Sequence, residues 1–171
     1  EEMDRIITQY PTMREGSILS LSQAFEIWFL HQETGIDYTE AAKHILDGVN
    51  DCGVDFIWID TNNREVMIGQ CEYDLKWART PASEEKAIET FALFNNYLLT
   101  SKLPEKLPDP AQYLWREARK KSNEGYVLDY LYVTPKHFSP SQEEKIRAKS
   151  GSSNYFFISH DTLLERGQEF L

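Results

Sequence analysis

Asp51-Cys52-Gly53-Val54-Asp55 runs straight into Phe56-Ile57-Trp58-Ile59-Asp60, and after a polar connection Val66-Met67-Ile68-Gly69-Gln70-Cys71-Glu72-Tyr73 follows. Residues 54–59 are rich in β-branched and aromatic side chains, which suit a pleated strand. Asp60-Thr61-Asn62-Asn63-Arg64-Glu65 reads as a hairpin connection, and 66–73 as the second strand. Both strands are apolar on both faces, so both faces need cover. That pattern predicts a central sheet in an α/β layer rather than a half-exposed hairpin.

Upstream, Ile18, Leu21, Phe25, Trp28 and Phe29 keep helical spacing and predict a helix over 19–32, capped by Ser17 or Ser20 and ended by Gly35. Asp37 or Thr39 starts a second helix, over 39–48, with Ala41, Ala42, Ile45 and Leu46 inward. Downstream, Ser83 and Glu85 open a helix that runs to about Leu99, lined by Ile88, Phe91, Ala92, Asn95 and Leu98. Pro104, Pro108 and Pro110 mark a surface loop before a helix over 110–122, with Tyr113, Leu114 and Ala118 inward. Residues 126–134 form an almost continuous apolar strand ended by Pro135. Pro140 sits early in the next helix, Tyr155-Phe156-Phe157-Ile158 is the last strand, and Asp161 caps a short C-terminal helix. A hairpin followed by strand–helix–strand predicts an α/β fold with a mixed central sheet and helices on both faces.

The 171 residues suit one domain, 1–171. The apolar ending, Phe170-Leu171, reads as that of a fragment of a longer protein or as a C-terminal helix packed down; the first of these leads one to expect further domains. With 41% apolar residues, including 4 Trp, 9 Tyr and 9 Phe, the chain has ample core material. No stretch reaches the ~20 apolar residues of a membrane span, and the start lacks signal-peptide character. Cys52 and Cys71 do not form a disulfide framework, which points to a reducing, cytoplasmic setting.

Strand alternation puts Asp55 with Ile57 and Ile59 on one face, and Gln70 and Glu72 with Ile68 and Asp74 on one face of the second strand. If the hairpin brings Asp55 near Glu72, two carboxylates converge, and their repulsion favours a divalent cation between them. Oxygen ligands suit Mg2+ or Mn2+. Such an ion activates water and stabilises phosphodiester oxygens under attack. Glu26, from the preceding helix, is a candidate third carboxylate, and Lys76 or Lys86 a candidate to orient water or stabilise developing charge.

Plainer roles stand beside these. Asp55 after a glycine can simply fix a turn through backbone N–H groups. Glu72 can be a solvated strand end, Glu26 a flank residue, and Glu40 and Asp47 helix-surface charges. The four histidines, His31, His44, His137 and His160, are dispersed and lack zinc-site spacing. No glycine-rich phosphate loop or nucleophile elbow is present. The net charge of -10 opposes tight nonspecific nucleic-acid binding, although carboxylates that hold metal also make a nuclease acidic.

Gly53-Val54-Asp55 followed on a hairpin by Gln70-Cys71-Glu72 resembles the PD-(D/E)XK restriction-endonuclease-like superfamily, in the branch where Gly-X-Asp precedes Gln-X-Lys. Within it, the chain is most similar to the N-terminal region of the AIPR (abortive infection phage resistance) family, over about residues 20 to 160. The later Gly125-Tyr126-Val127-Leu128-Asp129-Tyr130-Leu131-Tyr132-Val133-Thr134 resembles the strand that follows the nuclease half in such proteins. The resemblance implies a restriction-endonuclease-like fold and Mg2+-dependent hydrolysis of DNA first, RNA second. It implies metal-site roles for Asp55 and Gln70, and one for Glu26 on the leading helix. The chain departs at Glu72, where active relatives carry lysine. A lysine from elsewhere substitutes, or the site is reorganised, or the domain serves binding, dimerisation or regulation without cleaving. A homodimer is therefore a further expectation, and a membrane partner is not.

Overall fold

The computed structural model describes residues 20–46, 52–73, 82–150, 154–159 and 162. The elements are α1 (Leu21–Thr34), α2 (Tyr38–Ala42), β1 (Phe56–Asp60), β2 (Glu65–Cys71), α3 (Glu84–Thr100), α4 (Asp109–Asn123), β3 (Val127–Val133), α5 (Pro140–Ser150) and β4 (Tyr155–Ile158). The C-terminal helix expected after Asp161 lies outside the described residues, as does the segment before Ser20.

The strands lie in the order β1-β2-β3-β4. β1 and β2 form the antiparallel hairpin, with Phe56 opposite Gly69 and Asp60 opposite Glu65. β3 runs parallel to β2, and β4 parallel to β3. The sheet is thus mixed and mostly parallel, as the apolar strands require. Phe56, Cys71, Leu131, Val133 and Ile158 pack beneath α1 and α2. Ile57, Val66, Ile68, Tyr130, Tyr132 and Tyr155 pack beneath α3, α4 and α5. Both faces are covered, which is why neither strand of the hairpin alternates apolar with polar.

Local signals set most helix ends. Gln23 N–H donates to Ser20 Oγ at 3.1 Å while Ser20 N–H donates to Gln23 Oε1 at 2.9 Å, a reciprocal capping box. Gly35, at φ 76°, closes α1 in the left-handed conformation. Asp37 caps α2 by accepting from Glu40 N–H at 2.7 Å.

Three expectations need correction. The second helix does not reach residue 48, because the chain leaves it at Lys43 and lies along the outer edge of β1. His44 C=O accepts from Ile57 N–H at 3.2 Å, and Leu46 N–H donates to Asp55 C=O at 2.7 Å. Those bonds satisfy the edge of β1, which helical turns could not do. On α4, Tyr113 is 63% exposed, while Ala111, Trp115 and Ala118 turn inward. The large Trp115 ring takes the core position, and a residue two places away necessarily faces another direction. On α3 the buried residues are Ala87, Thr90, Phe91, Phe94 and Tyr97, so the inward stripe is rotated from the expected one.

Candidate functional site

The hairpin register determines which expected site residues meet. Asp55 lies one residue outside the Phe56–Gly69 pair, its N–H donating to Gly69 C=O at 2.8 Å. Its carboxylate accepts from Cys71 N–H at 2.7 Å through Oδ2. Bonds to residues on both sides of Gln70 bracket that residue, so Asp55 stands across from Gln70, not from Glu72. Two glycines make this geometry possible. Gly53 has φ 83°, and a Cβ there would lie 2.0 Å from Thr90 Oγ1 of α3. A Cβ on Gly69 would lie 2.0 Å from the Phe56 ring, which lies directly over that backbone.

Asp55 is 7% exposed and Gln70 fully buried. Neither Oε1 nor Nε2 of Gln70 has a hydrogen-bond partner among the described residues, so exchanging the two atoms changes nothing. A buried amide left in that state is destabilising. Its carbonyl is also an oxygen donor of the kind that a hard cation takes.

Glu72 has a different environment. Lys136 Nζ lies 2.7 Å from Glu72 Oε1. Ser83 N–H, at the start of α3, donates to Oε2 at 3.0 Å, and the Tyr132 hydroxyl donates to the same oxygen. The Glu72 main chain is also held, since its C=O accepts from Thr134 Oγ1 at 2.7 Å and its N–H donates to Val133 C=O at 2.9 Å. Burial alone would raise the Glu72 carboxyl, but the bonds from Lys136, Tyr132 and Ser83 overcome it and hold the group below its ordinary value. Burial, and then the adjoining carboxylate, push the Tyr132 phenol far above its ordinary value, so it stays protonated and donates. The Lys136 side chain is 4% exposed.

Lys136 thus places a buried ammonium against the Glu72 carboxylate. It was not among the sequence candidates. Lys76 lies outside the described residues. Lys86 is exposed on the first turn of α3, where its N–H donates to Ser83 Oγ at 3.5 Å. Val133-Thr134-Pro135-Lys136 announces a strand end and nothing more. Only the parallel register, with Cys71 opposite Val133, carries Lys136 to Glu72.

Glu26 is 1% exposed on α1, among the residues that cover the opposite face of the sheet from Ile68 and Tyr132. It is therefore a buried residue rather than a flank residue. Among the described residues, no three of the His, Cys, Asp and Glu side chains gather as they would around an ion. The donors that fit a hard divalent cation are the Asp55 carboxylate and the Gln70 carbonyl. A Mg2+ site of one carboxylate and one amide oxygen, completed by water and phosphate oxygens, is chemically reasonable. Glu72 is committed to its three donors. Among the described residues, no helix is long and apolar enough to cross a membrane.

Comparison with protein-family models, curated proteins and solved structures returned no significant match.

Proposed function

We propose that this chain is a nuclease domain hydrolysing phosphodiester bonds of DNA in a divalent-metal-dependent reaction, as part of a phage-defence or restriction protein. The observation that carries the reading is the buried Lys136–Glu72 pair beside Asp55 and Gln70. It supplies, from the segment just after β3, the cation that position 72 lacks. Asp55 and Gln70 Oε1 are the residues to hold Mg2+ or Mn2+, which when bound supplies Lewis acidity at the phosphodiester. Asp55 is kept in place by Cys71 N–H, so one carboxylate oxygen is oriented before any ligand arrives. Lys136 is tethered by Glu72 and offers positive charge to an oxygen gaining negative charge. Glu72 is then a positioning residue for the lysine, not a metal ligand.

The test is cleavage of plasmid, linear, single-stranded DNA and RNA substrates with Mg2+ or Mn2+, comparing the natural chain with Asp55→Asn and Lys136→Met. Divalent-dependent cleavage lost in both variants supports the reading. Cleavage unchanged in Asp55→Asn sinks it.

A second reading, a nuclease-like domain that binds or regulates without cleaving, is favoured by one observation. Gln70 is fully buried and the Glu72 carboxylate is held by three donors from two parts of the chain, which suits a static support. Absence of cleavage with every substrate and metal, by a chain that still melts cooperatively, selects it.

A further inference from the structure

A second site lies at the far end of α3. Ser83, at its start, touches Glu72, and its 17 residues span about 25 Å. There the ends of α3 and α4 enclose a groove of about 720 Å³ lined by Tyr97, Leu103, Arg116, Arg119, Lys120 and Asn123. In a chain of net charge -10, three cations converge on one concavity. Among the described residues none of the three has a carboxylate partner. The acid at the rim, Glu124, is paired with Lys121 at 3.2 Å.

Helix ends explain part of this. The C-terminus of a helix attracts cations, which accounts for Lys120 and Lys121 in the last turn of α4. Arg119 serves α3 in the same way, its Nε donating to Leu98 C=O at 3.3 Å. Arg116 lies well before the end of α4, where it donates to Gln112 Oε1 at 3.4 Å and its charge acts on the Tyr97 phenol. Its guanidinium has no comparable structural task. Facing the cations, the Tyr97 ring is 3% exposed, and burial raises its phenol so that it stays neutral. The groove therefore offers several charge-assisted donors on one wall and the half-buried Leu103 on another, with the buried Tyr97 ring behind them.

The geometry points to a binding site for a compact phosphorylated ligand of nucleotide size, separate from the candidate active site and independent of its activity. Guanidinium groups match phosphate oxygens in a fork. The volume falls within the range of small-molecule sites and exceeds what one inorganic phosphate fills. Three cations in one concavity are too short a basic track for a long nucleic-acid strand, which needs an extended one.

The test is calorimetric titration of the full chain in EDTA with ATP, AMP, pyrophosphate and a single-stranded oligonucleotide, at low and moderate salt. Arg116→Gln and Lys120→Gln are the variants, since both side chains are exposed and neither holds a buried bond. Unchanged thermal melts verify their folding. The expected result is saturable ATP or AMP binding that weakens with salt and falls about tenfold or more in the double variant. Absence of binding by every probe overturns the inference, as does affinity unaffected by the double variant. Pyrophosphate binding as tightly as ATP overturns the nucleotide-sized assignment, and an oligonucleotide that binds more tightly than ATP and loses that affinity in the double variant overturns the compact ligand.

Discussion

Removing the Lys136 ammonium leaves the Glu72 carboxylate, among the described residues, with two neutral donors, the Tyr132 hydroxyl and Ser83 N–H. A largely buried charge stripped of its counter-ion is strongly destabilising, so Lys136→Met is expected to cost about 3 kcal/mol in urea denaturation. Glu72→Gln is expected to be destabilising as well, because it removes the carboxylate that lies 2.7 Å from the buried ammonium. The pair also carries a pH signature. The folded carboxyl lies below its ordinary value of 4.5, so its stabilisation is complete above that value and is lost as pH falls through the lowered folded one. Unfolding midpoints between about pH 3 and 7 should show this acid loss in the natural chain, and a shallower one in Glu72→Gln. Gln70 gives the opposite kind of prediction. Its amide has no hydrogen-bond partner among the described residues, so Gln70→Leu is expected to keep or raise the melting temperature. The same variant should lose any rise in melting temperature that millimolar Mn2+ produces in the natural chain, read by parallel thermal melts. A large loss of stability in Gln70→Leu would show that the amide is not kept for a ligand.

At the scale of elements, the β1–β2 hairpin depends on the close approach of Phe56 to Gly69. Any side chain at Gly69 pushes the ring out of a fully buried position. Gly69→Ala is expected to cost about 1–3 kcal/mol by overpacking. Phe56→Leu in the same chain should recover part of that loss, and a double-mutant cycle measures the coupling. The turn that delivers Asp55 is equally constrained by Gly53 and Thr90. Much of this was legible beforehand. Continuous apolar runs revealed the hairpin and its cover, and cap residues marked the start of α1 and α3. The end of α2 was not legible. Ala41, Ala42, Ile45 and Leu46 have helical spacing, but Ile45 pairs with Phe56 instead. An edge strand in need of partners outweighed a weak local preference.

Across the whole molecule, an aromatic cluster joins the helical layer to the sheet. Trp115 of α4 meets Phe94 at 4.7 Å and Tyr97 at 5.4 Å between ring centroids, and Phe94 meets Tyr130 of β3 at 6.2 Å. The Tyr130 hydroxyl donates to Asn95 on α3, which explains why that polar residue falls near the inward stripe. Trp115→Ala is expected to cost about 3–5 kcal/mol, because the fully buried ring leaves a large cavity between α3 and α4. Chemical denaturation followed by far-ultraviolet dichroism checks this. The groove at the ends of those two helices should lose its anion binding in the same variant if the cluster sets their spacing.

Covered strands, a hairpin, capped helices and a mixed sheet with helices on both faces were within reach of the 171 residues, because each rests on patterns a few residues long. So were Asp55, Gln70 and Glu72 as the residues to watch. The tertiary structure decided how they combine. The antiparallel register sets Asp55 across from Gln70, and the parallel register brings Lys136 to Glu72 from 64 positions along the chain. Strand order and register arise from packing the whole sheet between two layers of helices. No local pattern encodes which lysine meets which carboxylate.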